Sequence, residues 1–215
     1  MKKRLPSVLA VCISVVVGIL ISSAVYAATG FSIFGRFREK PLPEGYANNA
    51  ELSALAYRVL DNIKAGDYGE LALTAHPKLG VLFSPQATVD KLTNKCFSAE
   101  QIAEFKQDNN AYVWGVNSTS GEPIELTPID YFAKFVYPKD YVAAPFVGIN
   151  HIVRSGNALE NIQEVFPEIQ FVEFHIPGSG QNAAEDFDWC TLRLGFEVYD
   201  GSLWLTAIIH SKWSA

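Results

Sequence analysis

Three cysteines in 215 residues are too few for a disulfide framework, so an apolar core must hold the chain together. Also missing are the short signatures by which sequence alone names a chemistry. There is no GxSxG elbow, HExxH, CxxC, GxGxxG or Walker loop, which removes the enzyme classes those motifs announce, and nothing calls for a cofactor. Basic residues are the minority, 17 against 23 acidic, for a formal charge of −6. That balance argues against nucleic acid as a partner, because phosphate binding needs a basic surface that releases counterions.

What is present begins with the N-terminus. Lys2, Lys3 and Arg4 precede an apolar run from Val8 to Ile21, then Ser22, Ser23 and Val25-Tyr26-Ala27, the layout of a secretory signal cut after Ala27. The alternative is an uncleaved anchor over residues 8–27, long enough to cross a bilayer, and it is the only membrane contact the sequence suggests. Cleavage leaves 14 basic against 23 acidic residues, a charge of −9, on 188 residues, which suit one domain over 49–215. Residues 28–48, with "FSIFGRF" and "PLPEGY", read as a linker. Export into an oxidising compartment leaves Cys96 and Cys190, either disulfide-bonded or two separate buried thiols.

From Asn49 the apolar residues Leu52, Leu55, Ala56, Val59, Leu60 and Ile63 recur at helical spacing up to Gly66. Asp67 caps a second helix that should run through Ala75 until His76-Pro77 stops it. "GVLF" reads as a short strand, Ser98 and Gln101 as a capping box, "AYVWGV" as a strand, and Thr127-Pro128 as the start of another helix. The last third is β-rich: "FVGINHIVR", "EIQFVEFHI", "WCTLRLGFEVY" and "LWLTAIIHSKW" are candidate strands, the last two joined by Asp200-Gly201. Strict alternation would put Leu203, Leu205, Ala207 and Ile209 on one face of the final strand, and Trp204, Thr206, Ile208 and His210 on the other.

This order, with "AGDYGELALTAHP", a short strand, a helix after "FSAEQI" and a terminal run of long strands, resembles the nuclear-transport-factor-2-like (SnoaL-like) superfamily. The resemblance implies a cone-shaped α+β fold, with N-terminal helices packed on a curved, mostly antiparallel sheet around a pocket. The stretches "HPKLGVLFSP", "SGEPIELT", "FVYPKD" and "DWCTLRLGFEVYDGSLWLTAIIHSKW" are also similar to those of a group of exported bacterial proteins, which implies export and little more. Since the superfamily hosts enzymes, ligand binders and structural modules, fold does not choose function.

Two site readings follow. In the first, a non-catalytic envelope or secreted module binds a small molecule or an envelope protein, using Trp114, Trp204 and His76. In the second, a hydrolase or dehydratase uses His210 and Asp188 as an acid–base pair, with Tyr199 nearby at the cone mouth. His76 before a proline also suits a helix end, where an imidazole can bond terminal carbonyls. No two of His76, His151, His175 and His210 have local metal-ligand spacing, so no metal site is expected. Glu185, Asp186 and Asp188 crowd one loop but lack the spacing of a calcium loop.

Overall fold

The computed structural model describes residues 47–117, 119–180 and 187–213. The expected signal peptide, most of the expected linker, and Glu185 and Asp186 lie outside the described residues.

Helix α1 spans Asn49–Ala65. Its first free amides are satisfied by Asn48, whose Oδ1 accepts from Ala50 and Glu51 at 3.0 Å, and it stops at Gly66 in the left-handed region (φ 64°). The expected stripe, Leu52 to Ile63, is its buried face. Helix α2, Tyr68–Ala72, is capped by Asp67 but ends three residues before the expected stop. Thr74 and His76 have left the helix to bond β-fashion to Leu205, so sheet pairing competes with the last helical turn.

Strands β1 (Val81–Ser84) and β2 (Lys95–Phe97) follow, then α3 (Ala99–Ala103) behind the Ser98–Gln101 capping box. Strands β3 (Tyr112–Val116) and β4 (Pro123–Leu126) form a separate hairpin. Helix α4 (Pro128–Tyr131) runs directly into a π-helical turn over Phe132–Val136, which the sequence pattern did not announce. After a 3-10 turn at Tyr141–Ala143 come β5 (Phe146–Ile149), α5 (Ile162–Val165), β6 (Gln170–Ile176), β7 (Cys190–Tyr199) and β8 (Ser202–Lys212). The candidate strand "FVGINHIVR" is cut short because Asn150 turns the chain with φ 51°. Asp200 and Gly201 both take positive φ (52° and 72°), the conformation a tight hairpin between β7 and β8 requires.

Six strands form one curved, open sheet in the order β2-β1-β8-β7-β6-β5, antiparallel except for the β1–β8 pair. The chain is thus α+β with helices packed on a mostly antiparallel sheet. Both faces of the sheet carry buried apolar residues. Val172, Phe174, Leu192, Leu194 and Phe196 join the helices, whereas Ile162, Phe166 and Ile169 cover Leu82, Phe171, Ala207 and Ile209 on the other side.

Strict alternation fails on β8. Phe196 pairs with Leu205 but Gly195 pairs with Ala207, so the strand holds one extra residue, a β-bulge. Leu205 and Ile208 therefore face the helices together, while Ala207 and Ile209 face away. The same shift turns His210, opposite Leu192, toward the helix side.

On the outer face, the cross-strand partners Arg193 and Glu173 are both buried and ion-paired, and Arg193 Nη1 also meets Glu160 at 2.8 Å. Glu173 Oε1 accepts from the backbone of Val153 (2.9 Å) and Arg154 (3.3 Å). These bonds tie the 150–160 segment to the sheet, and they satisfy charges that burial would otherwise make costly.

Candidate functional site

The interior, where the resemblance implies a pocket, is filled with rings. Trp114 is fully buried, stacks on Tyr131 at 3.8 Å and 7°, and donates its Nε1–H to the Leu126 carbonyl at 2.9 Å. Phe83, Phe97, Phe105 and Phe132 surround this pair edge-to-face or tilted, arrangements that ring quadrupoles favour. Trp114 is a core residue, which corrects its assignment as a ligand contact.

The expected acid–base group does not assemble either. His210 is 3 % exposed, and its ring meets Phe135 at 5.8 Å. Burial, then Lys212, push its pKa down to about 3, against a hydrogen bond to the Phe135 backbone. Asp188 is committed elsewhere: Oδ1 accepts from the Ser179 amide (2.9 Å), and its carbonyl accepts from Lys139. Tyr199 ends β7, seven residues beyond the partner of His210, which is ~24 Å along an extended strand. A general base needs a titratable group within hydrogen-bond reach of its partner, and no hydrogen bond joins His210, Asp188 and Tyr199 among the described residues.

His76 and Trp204 do share a cleft, one of about 370 Å³ that also includes Cys96. Yet His76 Nδ1 accepts from the backbone amides of Lys78 (3.1 Å) and Leu79 (3.0 Å). The imidazole therefore organises the following turn instead of bonding helix carbonyls; burial lowers its pKa, in keeping with an acceptor nitrogen. Trp204 donates its Nε1–H to the Tyr199 carbonyl at 3.1 Å. The Trp204 N–H and His76 Nδ1 are thus committed to the backbone, which leaves the His76 Nε2–H as the remaining polar group of the two side chains.

Of the two states the sequence leaves open for Cys96 and Cys190, the structure has two separate free thiols, Cys190 buried but Cys96 exposed. Cys96 pairs with Leu82, Leu82 with Ala207 and Ala207 with Gly195. The two cysteines are therefore three strands apart and out of line by five residues. That is a separation of ~20 Å, against the ~7 Å a disulfide can span.

A different cleft, of about 310 Å³, has the features of a binding site. Because β1 and β8 run parallel, both end at the same edge of the sheet, and the residues after them, Pro85–Ala87 and Lys212–Trp213, form two of its walls. The β3–β4 turn contributes Asn117 and Thr119, β4 contributes Ile124, and the π-helical turn contributes Lys134 and Phe135. Extra residues in a helical turn re-aim side chains, and such turns recur at functional sites. The Lys134 ammonium lies 5.4 Å from the Phe135 ring centroid. Asn117 Oδ1 accepts from Thr119 (2.9 Å) and Ser120 (3.2 Å), which leaves its amide hydrogens as donors.

Among the described residues, no carboxylate, imidazole, thiol or phenol lines this cleft, and neither Lys134 nor Lys212 is in an ion pair. The described walls can therefore bind and orient an anion. Sequence reasoning missed Lys134 and Lys212 because single lysines on a helix and a strand end carry no motif. No set of three His, Cys, Asp or Glu residues able to hold a metal ion occurs among the described residues.

No protein-family profile and no curated protein matches the chain. Solved structures do. A putative calcium/calmodulin-dependent protein kinase II association domain from Xanthomonas campestris is 15% identical, over 81% of this chain and 97% of that one, with a TM-score of 0.32. A domain of unknown function with a cystatin-like fold from Nostoc punctiforme is 12% identical (79% and 81% covered, TM-score 0.33). An NTF2-like protein of unknown function from Pseudomonas putida is 9% identical (78% and 89% covered, TM-score 0.29). NTF2-like structures are thus among those the chain is similar to, and at these identities and scores they say nothing about its activity.

Proposed function

We propose that the chain is a non-catalytic binding module of the cell envelope or the secreted fraction, and that it takes its ligand in the Lys134–Lys212 cleft and not in the cone interior. The observation that carries this reading is the make-up of the cleft: two lysines outside any ion pair among the described residues, the Asn117 amide and aromatic side chains, with no acid–base pair in the described lining. The separation of His210, Asp188 and Tyr199 supports it against the enzyme reading. The basic and apolar N-terminal segment supports export.

The test is a ligand and pull-down screen on the secreted form. Wild type is compared with Lys134→Met/Lys212→Met and with His210→Ala, alongside cell fractionation and N-terminal mass analysis of the full chain. The expected result is a ligand lost in the double lysine variant and kept in His210→Ala. Turnover of a hydrolase or dehydratase substrate that disappears in His210→Ala would overturn the reading, as would retention of the full chain in the cytoplasm.

A further inference from the structure

The cleft's chemistry narrows what can occupy it, given the reading of the chain as a binding module. Lys134 and Lys212, both exposed, line this one cleft, and no acidic residue is among its described lining, so an anion entering it meets two positively charged side chains. The surroundings sharpen the contrast, since the chain as a whole carries −6. Yet the walls are not those of a site for a bare inorganic ion. Trp213, 37 % exposed, and the half-buried Ile124 present apolar surface in the same cleft, with the buried Phe135 behind them, and desolvating that surface favours an organic body over water.

We infer that this cleft binds a small aromatic carboxylate. Its carboxylate lies between the Lys134 and Lys212 ammonium groups, with the Asn117 amide as a further donor, and its ring lies against Phe135 and Trp213. The same chemistry, a carboxylate next to an aromatic ring, is offered by a free organic acid and by a peptide ending in phenylalanine. A tetrapeptide arm in the titration distinguishes the two.

Calorimetric titration of the secreted form with phenylacetate tests this, with phenethylamine, inorganic phosphate and a tetrapeptide ending in phenylalanine as comparisons. Phenylacetate is expected to bind and to weaken as salt rises, while the amine does not bind and phosphate binds at least tenfold more weakly. Lys134→Met and Lys212→Met should each weaken phenylacetate by about tenfold, the usual loss for one charge-assisted contact, with circular dichroism unchanged. Equal binding of the amine or of phosphate, tighter binding of the peptide, or undiminished affinity in both lysine variants would overturn the inference. A neutral or cationic ligand captured at the same lysine-dependent cleft would overturn the ligand class while leaving the binding-module reading in place. Loss of all binding together with His210-dependent turnover would remove both.

Discussion

Histidine protonation is where single residues control stability. His76, His175 and His210 are all buried, and in each the leading cause of a lowered pKa is loss of solvation. A group whose folded pKa lies below its unfolded value of about 6.5 leaves the unfolded chain with more bound protons between the two. Stability from these sites is therefore complete above pH 6.5 and is lost as pH falls toward the folded pKa. For His210 alone, with a folded pKa of about 3, the loss approaches ~5 kcal/mol at the acid end. Urea melts at pH 7.5, 6.5 and 5.5 should show a falling midpoint, and His210→Gln should flatten the slope even if it lowers stability at pH 7.5. An unchanged slope in His210→Gln would show that His210 stays uncharged by some other route.

A second residue-scale prediction concerns Arg193. Its guanidinium joins Glu173 and Glu160 while 1 % exposed, so Arg193→Leu strands a buried carboxylate. The expected loss is ~3–5 kcal/mol, measured by chemical denaturation. The double change Arg193→Leu/Glu173→Leu should recover part of it, because no charge is then left without a partner.

At the scale of elements, β8 shows how one extra residue redirects a strand. With the bulge between Leu205 and Ala207, Leu205 and Ile208 reach the same core, although strict alternation places them on opposite faces. Deleting Thr206 would remove the bulge and restore regular pairing while Ala207 to Lys212 keep their partners and faces. Such a variant should still unfold in one cooperative thermal transition, as judged by calorimetry. The connection into β1 is similarly constrained. Gly80 has φ +68°, and a Cβ there would lie 2.3 Å from the Phe97 carbonyl oxygen. Gly80→Ala should cost at least ~2 kcal/mol.

Much of the element list was legible in advance, and the reason is locality. The α1 stripe, the Asp67, Ser98 and Thr127 caps and the Asp200-Gly201 turn depend on residues within four positions of each other. Asn48, which caps α1, falls instead in the stretch that reads as linker. The π-helical turn, the bulge and the early end of α2 were not legible. Each arises where a distant partner outcompetes the local preference, as Leu205 does for Thr74 and His76.

For the whole molecule, sheet order decides which cysteines and which charged groups meet. Cys96 and Cys190 should titrate as two free thiols under native, non-reducing conditions followed by denaturation. Cys96, on the exposed edge strand, should react with a thiol reagent before unfolding, whereas buried Cys190 should react only after it. One blocked pair per chain would contradict the sheet order. The aromatic interior acts at the same scale: Trp114, Tyr131 and four phenylalanines fill the space between helices and sheet, so the proposed recognition falls to the outer clefts.

By itself the sequence determined the composition of the core, most helix starts and the closing hairpin, because caps, turns and apolar periodicity act between near neighbours. Tertiary structure alone decided that His210 faces Phe135, that Tyr199 lies at the far end of its strand, and that Arg193 finds Glu173. It also decided that Pro85, Asn117, Lys134 and Lys212 share a cleft. The physical reason is the same in each case. Strand order, a parallel β1–β8 pair and one bulge set which distant residues come together, and none of these leaves a mark in the spacing of neighbouring residues.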